Sequence, residues 1–280
     1  MTMLLFDHVT KRFGANTAID DVSLTIRAGV ITAVIGPNGA GKSTLVNMAA
    51  GSYRATSGRI LLDGVELQNL PKYRIARAGL GRTYQNIRLF DGLTVLQNLE
   101  VSLVPRSLPL LIAEAFWLAP HGSAEARETS RAVLARLGIA HLADRQAGSL
   151  AYGQQKLVEL ARAIVGRPRA LLLDEPAAGL NHGETDELKA HIQSLRSPEL
   201  AIVLIEHDMK LIMSVSDEIT VMNRGAVLAQ GTPEAIRDNP HVQEAYLGQP
   251  GAMGAIETAA RGRRNRVRLR ASESLAWGRS

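Results

Sequence analysis

Residues 30–44 read "VITAVIGPNGAGKST": an apolar run, a glycine-rich turn, then the start of a helical segment. The run "VITAVI" has the length and the Val/Ile content of a strand buried on both faces. Gly36, Gly41, Lys42 and Ser43 satisfy G-x-x-x-x-G-K-[ST], and "STLVNMAAG" continues as helix. Strand, glycine loop and helix in that order are the context that a P-loop requires. Glycines let successive backbone N–H groups turn inward at a helix N-terminus, where they cradle an anion, and Lys42 adds a point charge for the β- and γ-phosphates. The stretch 36–44 is therefore assigned to a nucleotide, with Asn38 and Gly39 inside the loop, Ser43 offering its hydroxyl to Mg²⁺ and Thr44 behind it. The bare pattern arises by accident in about one chain in a hundred of this length, so the flanking strand and helix decide the assignment.

Two further strand ends carry chemistry. "RALLLDE" (169–175) is an apolar run closed by Asp174 and Glu175. A carboxylate at the C-terminal edge of a strand beside a P-loop holds the Mg²⁺ shell, and a second orients or deprotonates the attacking water. "LAIVLIE" (200–206) runs into His207. A histidine at a strand end is more often structural than catalytic; its place one strand beyond Glu175 favours a γ-phosphate contact here.

Around these runs, strand and helix signals alternate without an internal repeat. "DVSLTI" (21–26) and "EITVMNRGAVLAQG" (218–231) alternate and turn like antiparallel strands, so a mixed sheet is expected. From about 86 to 165 the spacing is helical, in "TVLQNLEVSL", the apolar segment around Trp117 and "SAEARETSRAVLARLGI". The expected architecture is an α/β core with a helical insert.

The 280 residues allow a large core and include no cysteine, so neither a disulfide framework nor a thiolate metal site is available. The opening "MTMLLFDHVTKRF" reads as a strand rather than a signal peptide. The longest apolar run, "LPLLIAEAFWLA" (108–119), is interrupted by Glu114 and is far short of the roughly 20 residues a membrane span needs. The net charge of +5 is local: residues 251–280 hold seven Arg and two Glu, leaving 25 basic against 25 acidic residues in 1–250. That composition is expected of a solvated, disordered tail rather than a nucleic-acid arm.

The order of these motifs resembles the ATP-binding cassette, the ATPase subunit of ABC transporters, over about residues 3–248. The resemblance implies a P-loop core with an antiparallel β-subdomain and a helical insert, residues 1–250 forming the ATP-binding domain. It implies that Phe13 in "KRFG" stacks on adenine. Gln85 in "GRTYQNIRLF" takes the place of the glutamine that joins the catalytic core to the helical subdomain and meets the metal, beside Ser43 and Asp174. "RTYQNIRLFDGLTVLQN", "LAYGQQK", "DEPAAGLN", "IEHDM" and "GTPEAIRDNPHVQEAYLG" are similar to the ATPases of branched-chain amino-acid importers, close relatives of the urea and amide importers.

Within "SLAYGQQKLVELARAI" (149–164), Leu150, Ala151, Tyr152, Gly153 and Gln154 occupy the places of the family's Leu-Ser-Gly-Gly-Gln, which completes the ATP site of an opposite subunit. Ala151 brings no hydroxyl, so backbone N–H groups and the helix start must meet the phosphate. Asn181 stands where the family usually has Asp, which removes a charge from the turn after Glu175. The resemblance implies ATP and Mg²⁺ as ligands and a cytoplasmic, membrane-peripheral place. It also implies a second cassette, membrane permease subunits and a solute-binding protein as partners, with no nucleic acid. An exporter of lipid or polysaccharide, a soluble ABC protein acting on ribosomes or DNA, and an ATP-sensing regulatory subunit are the alternatives. Tandem cassettes or long coiled-coil inserts would favour the second, and a damaged Asp174 or Glu175 position the third.

Overall fold

The computed structural model describes residues 3–103 and 124–246; the segment around Trp117 and the basic tail lie outside the described residues. Two sheets form the body. The first is antiparallel, in the order β2–β1–β4–β5, from β1 (Met3–Phe13), β2 (Asn16–Arg27), β4 (Ser57–Leu62) and β5 (Val65–Glu66). The second runs β10–β9–β3–β8–β7–β6, from β3 (Ile31–Ile35), β6 (Leu80–Arg82), β7 (Ala170–Asp174), β8 (Ala201–Ile205), β9 (Glu218–Asn223) and β10 (Ala226–Gly231). Its pairings are parallel except for the β9–β10 hairpin, so it is the mixed sheet expected from the sequence.

The continuous apolar runs are explained by burial on both faces. In β7 and β8, Leu171, Leu173, Ile202 and Leu204 pack toward the helical side. Ala170, Leu172, Ala201, Val203 and Ile205 pack toward the antiparallel sheet, against Phe6, Ile26 and Ile60. Side chains alternate along a strand, so a strand covered on both faces must be apolar at every position. "DVSLTI" alternates because one face of β2 is exposed.

Helices α1 (Lys42–Ala49), α2 (Lys72–Arg77), α3 (Val95–Leu103), α4 (Ala124–Arg136), α5 (Tyr152–Ile164), α6 (His182–Ser194), α7 (Met209–Val215), α8 (Pro233–Arg237) and α9 (Pro240–Tyr246) complete the described chain. Helices α3, α4 and α5 pack on one another and carry the helical segment expected within 86–165. Among the described residues, no helix is long and apolar enough to cross a membrane.

Candidate nucleotide-binding and hydrolysis site

The C-terminal ends of β3, β7 and β8 deliver the three motifs to one edge of the parallel sheet. The loop after β3 is held tightly: Gly36 has φ 153°, and a Cβ there would lie 2.1 Å from the Met222 carbonyl oxygen. Gly41, at φ 101°, would set a Cβ 2.6 Å from the Ala18 carbonyl oxygen. Only glycine satisfies both the backbone angle and the packing at these two positions. Gly41 precedes α1, whose first residues are Lys42, Ser43 and Thr44. The Lys42 side chain curls back over the loop, its Nζ donating to the carbonyl oxygens of Gly36 at 2.8 Å and Pro37 at 3.1 Å. Burial pushes its pKa down, while the Glu175 and Asp174 carboxylates act in the opposite direction. Asn38, Gly39 and Ser43 are exposed.

Asp174 closes β7 and is buried. Its Oδ2 accepts from the Arg82 guanidinium at 2.9 Å, and the same guanidinium donates to Asn47 Oδ1 on α1 at 2.9 Å. The strand carrying the acid is thereby tied to the helix that follows the glycine loop. Glu175, at the left-handed φ of 49°, is thrown out of the strand direction. Its two oxygens are held from opposite sides: Gln85 Nε2 donates to Oε2 at 2.7 Å, and His207 Nε2 stands 2.8 Å from Oε1. An ionised carboxylate only accepts, so this pairing places the imidazole proton on Nε2. The strain of a non-glycine residue at that φ is of order 1–3 kcal/mol and persists where surrounding structure over-determines it.

The structure thus gathers Lys42, Asp174, Glu175, Gln85 and His207. Phe13 is 43% exposed, edge-on to Tyr53 at 5.2 Å with Lys11 Nζ 4.8 Å from its ring centroid. Residues 151–154 open α5, with Ala151 at the N-cap position and no side-chain cap. Among the described contacts, Tyr152 packs on Gly179 and Gly153 on Glu184, so this stretch sits against the turn that follows Glu175. Asn181 caps α6: its Oδ1 accepts from Glu184 N–H at 3.1 Å, and Glu184 Oε2 accepts from Asn181 N–H at 2.9 Å.

Four charged residues at the site escaped the sequence reasoning: Arg82, Lys156, Glu159 and Glu206. Glu206 closes the apolar run "LAIVLI" and Glu159 stands between apolar residues in "LVELA", a signal that could have found them since buried charges are rare unless paired, whereas Arg82 in "GLGRTYQ" and Lys156 after "YGQQ" carry no such local signal. Glu206 accepts from Ala177 N–H at 2.7 Å and from His207 N–H at 3.1 Å, pinning the turn after Glu175 to the histidine. Burial pushes the Glu206 carboxyl up, those two N–H bonds oppose it, and the charges of Glu175 and Asp208 add to the rise.

A parallel sheet with this glycine loop and two strand-end carboxylates defines a P-loop ATPase. The family model described as ABC transporter matches residues 19–178, and the model described as branched-chain amino acid ATP-binding cassette transporter matches 226–252. The chain belongs to the ABC transporter family, whose activity is ATP hydrolysis. It is 49% identical over 245 residues to the high-affinity branched-chain amino acid transport ATP-binding protein BraF of Pseudomonas aeruginosa, a match covering 86% of this chain and 96% of that one. It is 45% identical over 250 residues to LivG of Escherichia coli K12, covering 88% and 98%. The ADP conformation of MJ1267, an ATP-binding cassette of an ABC transporter, superposes with a TM-score of 0.77 at 32% identity, over 89% of this chain and 100% of that one. A dimeric post-hydrolysis cassette, MJ0796 bound to ADP and Pi, shares the fold at TM-score 0.67 and 23% identity, over 82% of this chain and 98% of that one.

Proposed function

We propose that this chain is the ATP-hydrolysing subunit of an importer for branched-chain amino acids. It would work as one of two cassettes beneath membrane permease subunits on the cytoplasmic face, supplied by a solute-binding protein. The reading is supported by relatives named for that transport at 45–49% identity. The hydrolytic part rests on one observation, the Glu175 carboxylate gripped by Gln85 and His207.

The glycine loop and Lys42 bind the phosphates, and Phe13 presents a face for adenine. Ser43, Gln85 and Asp174 offer only oxygen donors, the set that suits Mg²⁺; with Gln85 Nε2 turned to Glu175, its Oε1 is the atom left for a cation. When bound, Mg²⁺ would neutralise charge on the β- and γ-phosphate oxygens. Glu175 orients the attacking water and accepts its proton, and the grip on both carboxylate oxygens fixes the lone pair that does so. His207, which shares Glu175, would contact the γ-phosphate. Residues 151–154 would present backbone N–H groups to the partner cassette's phosphate.

The test is Glu175→Gln in the assembled transporter. It should bind ATP and trap a closed dimer while steady-state hydrolysis is abolished. Turnover near wild type would remove Glu175 from the mechanism. Permease subunits that co-purify in detergent, and ATPase activity stimulated by leucine-loaded binding protein, would carry the importer assignment; association with ribosomes instead would overturn it.

A further inference from the structure

Lys156 and Glu159 lie three residues apart on α5, and both are almost wholly buried, at 4% and 2% exposure. The hydrolytic mechanism above uses neither. Glu159 Oε1 accepts from Tyr84 N–H at 3.2 Å, and Lys156 Nζ donates to the Gln85 carbonyl oxygen at 3.1 Å. The two side chains therefore grip consecutive residues of the segment that bears Gln85, one by its amide and the next by its carbonyl. The Tyr84 ring is itself flanked by the guanidiniums of Arg82 at 4.8 Å and Arg88 at 4.6 Å. From this clamped backbone the Gln85 side chain reaches Glu175 at 2.7 Å.

The other side of the clamp leads to the exposed end of α5. The Lys156 ammonium stands 5.8 Å from the centroid of the Tyr152 ring, inside the range of about 6 Å over which a ring face attracts a cation. Tyr152 is 44% exposed and packs on Gly179, in the turn after Glu175. Burial holds the Lys156 ammonium below the usual lysine range and the Glu159 carboxyl above the usual glutamate range. In each case the partner's charge is the largest opposing influence. Such a pair is costly to break from one side.

We propose that Lys156 and Glu159 are positioning residues that tie the Gln85 segment to α5, so that movement of the 151–154 end against a second cassette's nucleotide is carried to this chain's own Glu175. The proposal rests on the reading of residues 151–154 as the surface that completes a partner's ATP site. Lys156 and Glu159 occupy the first two turns of one helix, a rigid rod, and a displacement of about 1 Å at a catalytic group costs about a hundredfold in rate.

The experiment is a double-mutant cycle on the purified, assembled complex. Lys156→Met should lower kcat about ten- to a hundredfold with KM for ATP little changed, and Lys156→Arg should recover most of it. In a Gln85→Ala background, Lys156→Met should add no further loss, because the group it positions is gone. An additive loss in that background, or a raised KM with kcat intact, overturns the proposal. Should Lys156→Met lose its thermal unfolding transition, Glu159→Leu, which removes the acceptor for Tyr84 N–H, carries the same cycle. ATP-dependent dimerisation of the Glu175→Gln complex separates the two ideas. Its absence sinks the signature reading, whereas dimerisation together with an additive cycle sinks the positioning role alone.

Discussion

Gly153 lies directly beneath the Glu184 carboxylate: a Cβ at Gly153 would stand 2.4 Å from Glu184 Oε1. Glu184 in turn closes the capping box of α6 with Asn181. A side chain at Gly153 therefore displaces the Glu184 carboxylate from its place in the capping box, within its own subunit and before a partner is considered.

The consequence is measurable without a partner. Gly153→Asp, which sets a second carboxylate against Glu184 and displaces it from the capping box, should destabilise the chain by about 0.5–2 kcal/mol, the value of a lost cap, seen as a lower midpoint in denaturant. Ala151→Ser, at an exposed N-cap, should leave that midpoint in place or raise it slightly. In the assembled complex, Ala151→Ser should stabilise the ATP-bound closed dimer by no more than about 1.5–3 kcal/mol, the value of one hydrogen bond to a charged group. An undisturbed Gly153→Asp chain would contradict the packing.

Arg82 and Asp174 form a buried pair, with side-chain exposures of 8% and 9%. Arg82→Met leaves the Asp174 carboxylate and Asn47 Oδ1 without that donor. The expected loss is about 3–5 kcal/mol, read by urea unfolding. A loss under 1 kcal/mol would mean that the pair behaves as a surface bridge.

Glu206 gives a pH dependence whose sign is fixed by its raised pKa. Unfolded, the carboxyl titrates near 4.5, and burial moves the folded value upward. Its ionisation therefore weakens the fold as pH rises from about 4.5 through the folded value, and adds nothing further above it. Glu206→Gln removes that dependence, but turns an NH₂ group toward one of two N–H donors, at a cost of about 1–3 kcal/mol. The stability gap between wild type and Glu206→Gln should narrow as pH rises through that window. A gap that widens would show that the carboxylate is favoured by folding.

Deleting residues 251–280 removes seven Arg and two Glu from a chain whose remaining charge is balanced. ATPase activity of the assembled complex should be unchanged. A loss of activity would give the basic segment a part in the reaction cycle.

The sequence by itself determined the parts that depend on local pattern. An apolar run ending in Gly36–x–x–x–x–Gly41–Lys42–Ser43 has one physical use, because the glycine conformations, the helix start and the cation all lie within nine residues of chain. Runs buried on both faces announced β3, β7 and β8 for the same reason: each residue reports its own burial. Only the tertiary structure decided which charges meet. Gln85 and Glu175 are 90 residues apart in the chain and Arg82 and Asp174 are 92 apart, yet both pairs close within 3 Å. The buried Lys156 and Glu159 look, in "KLVELARAI", like the polar positions of an ordinary amphipathic helix. Their role appears only when β6 and the segment that follows it are laid against α5. Partner choice for a buried charge is set by the packing of distant elements, where the cost of leaving it unpaired selects one geometry, and no local pattern along the chain records that choice.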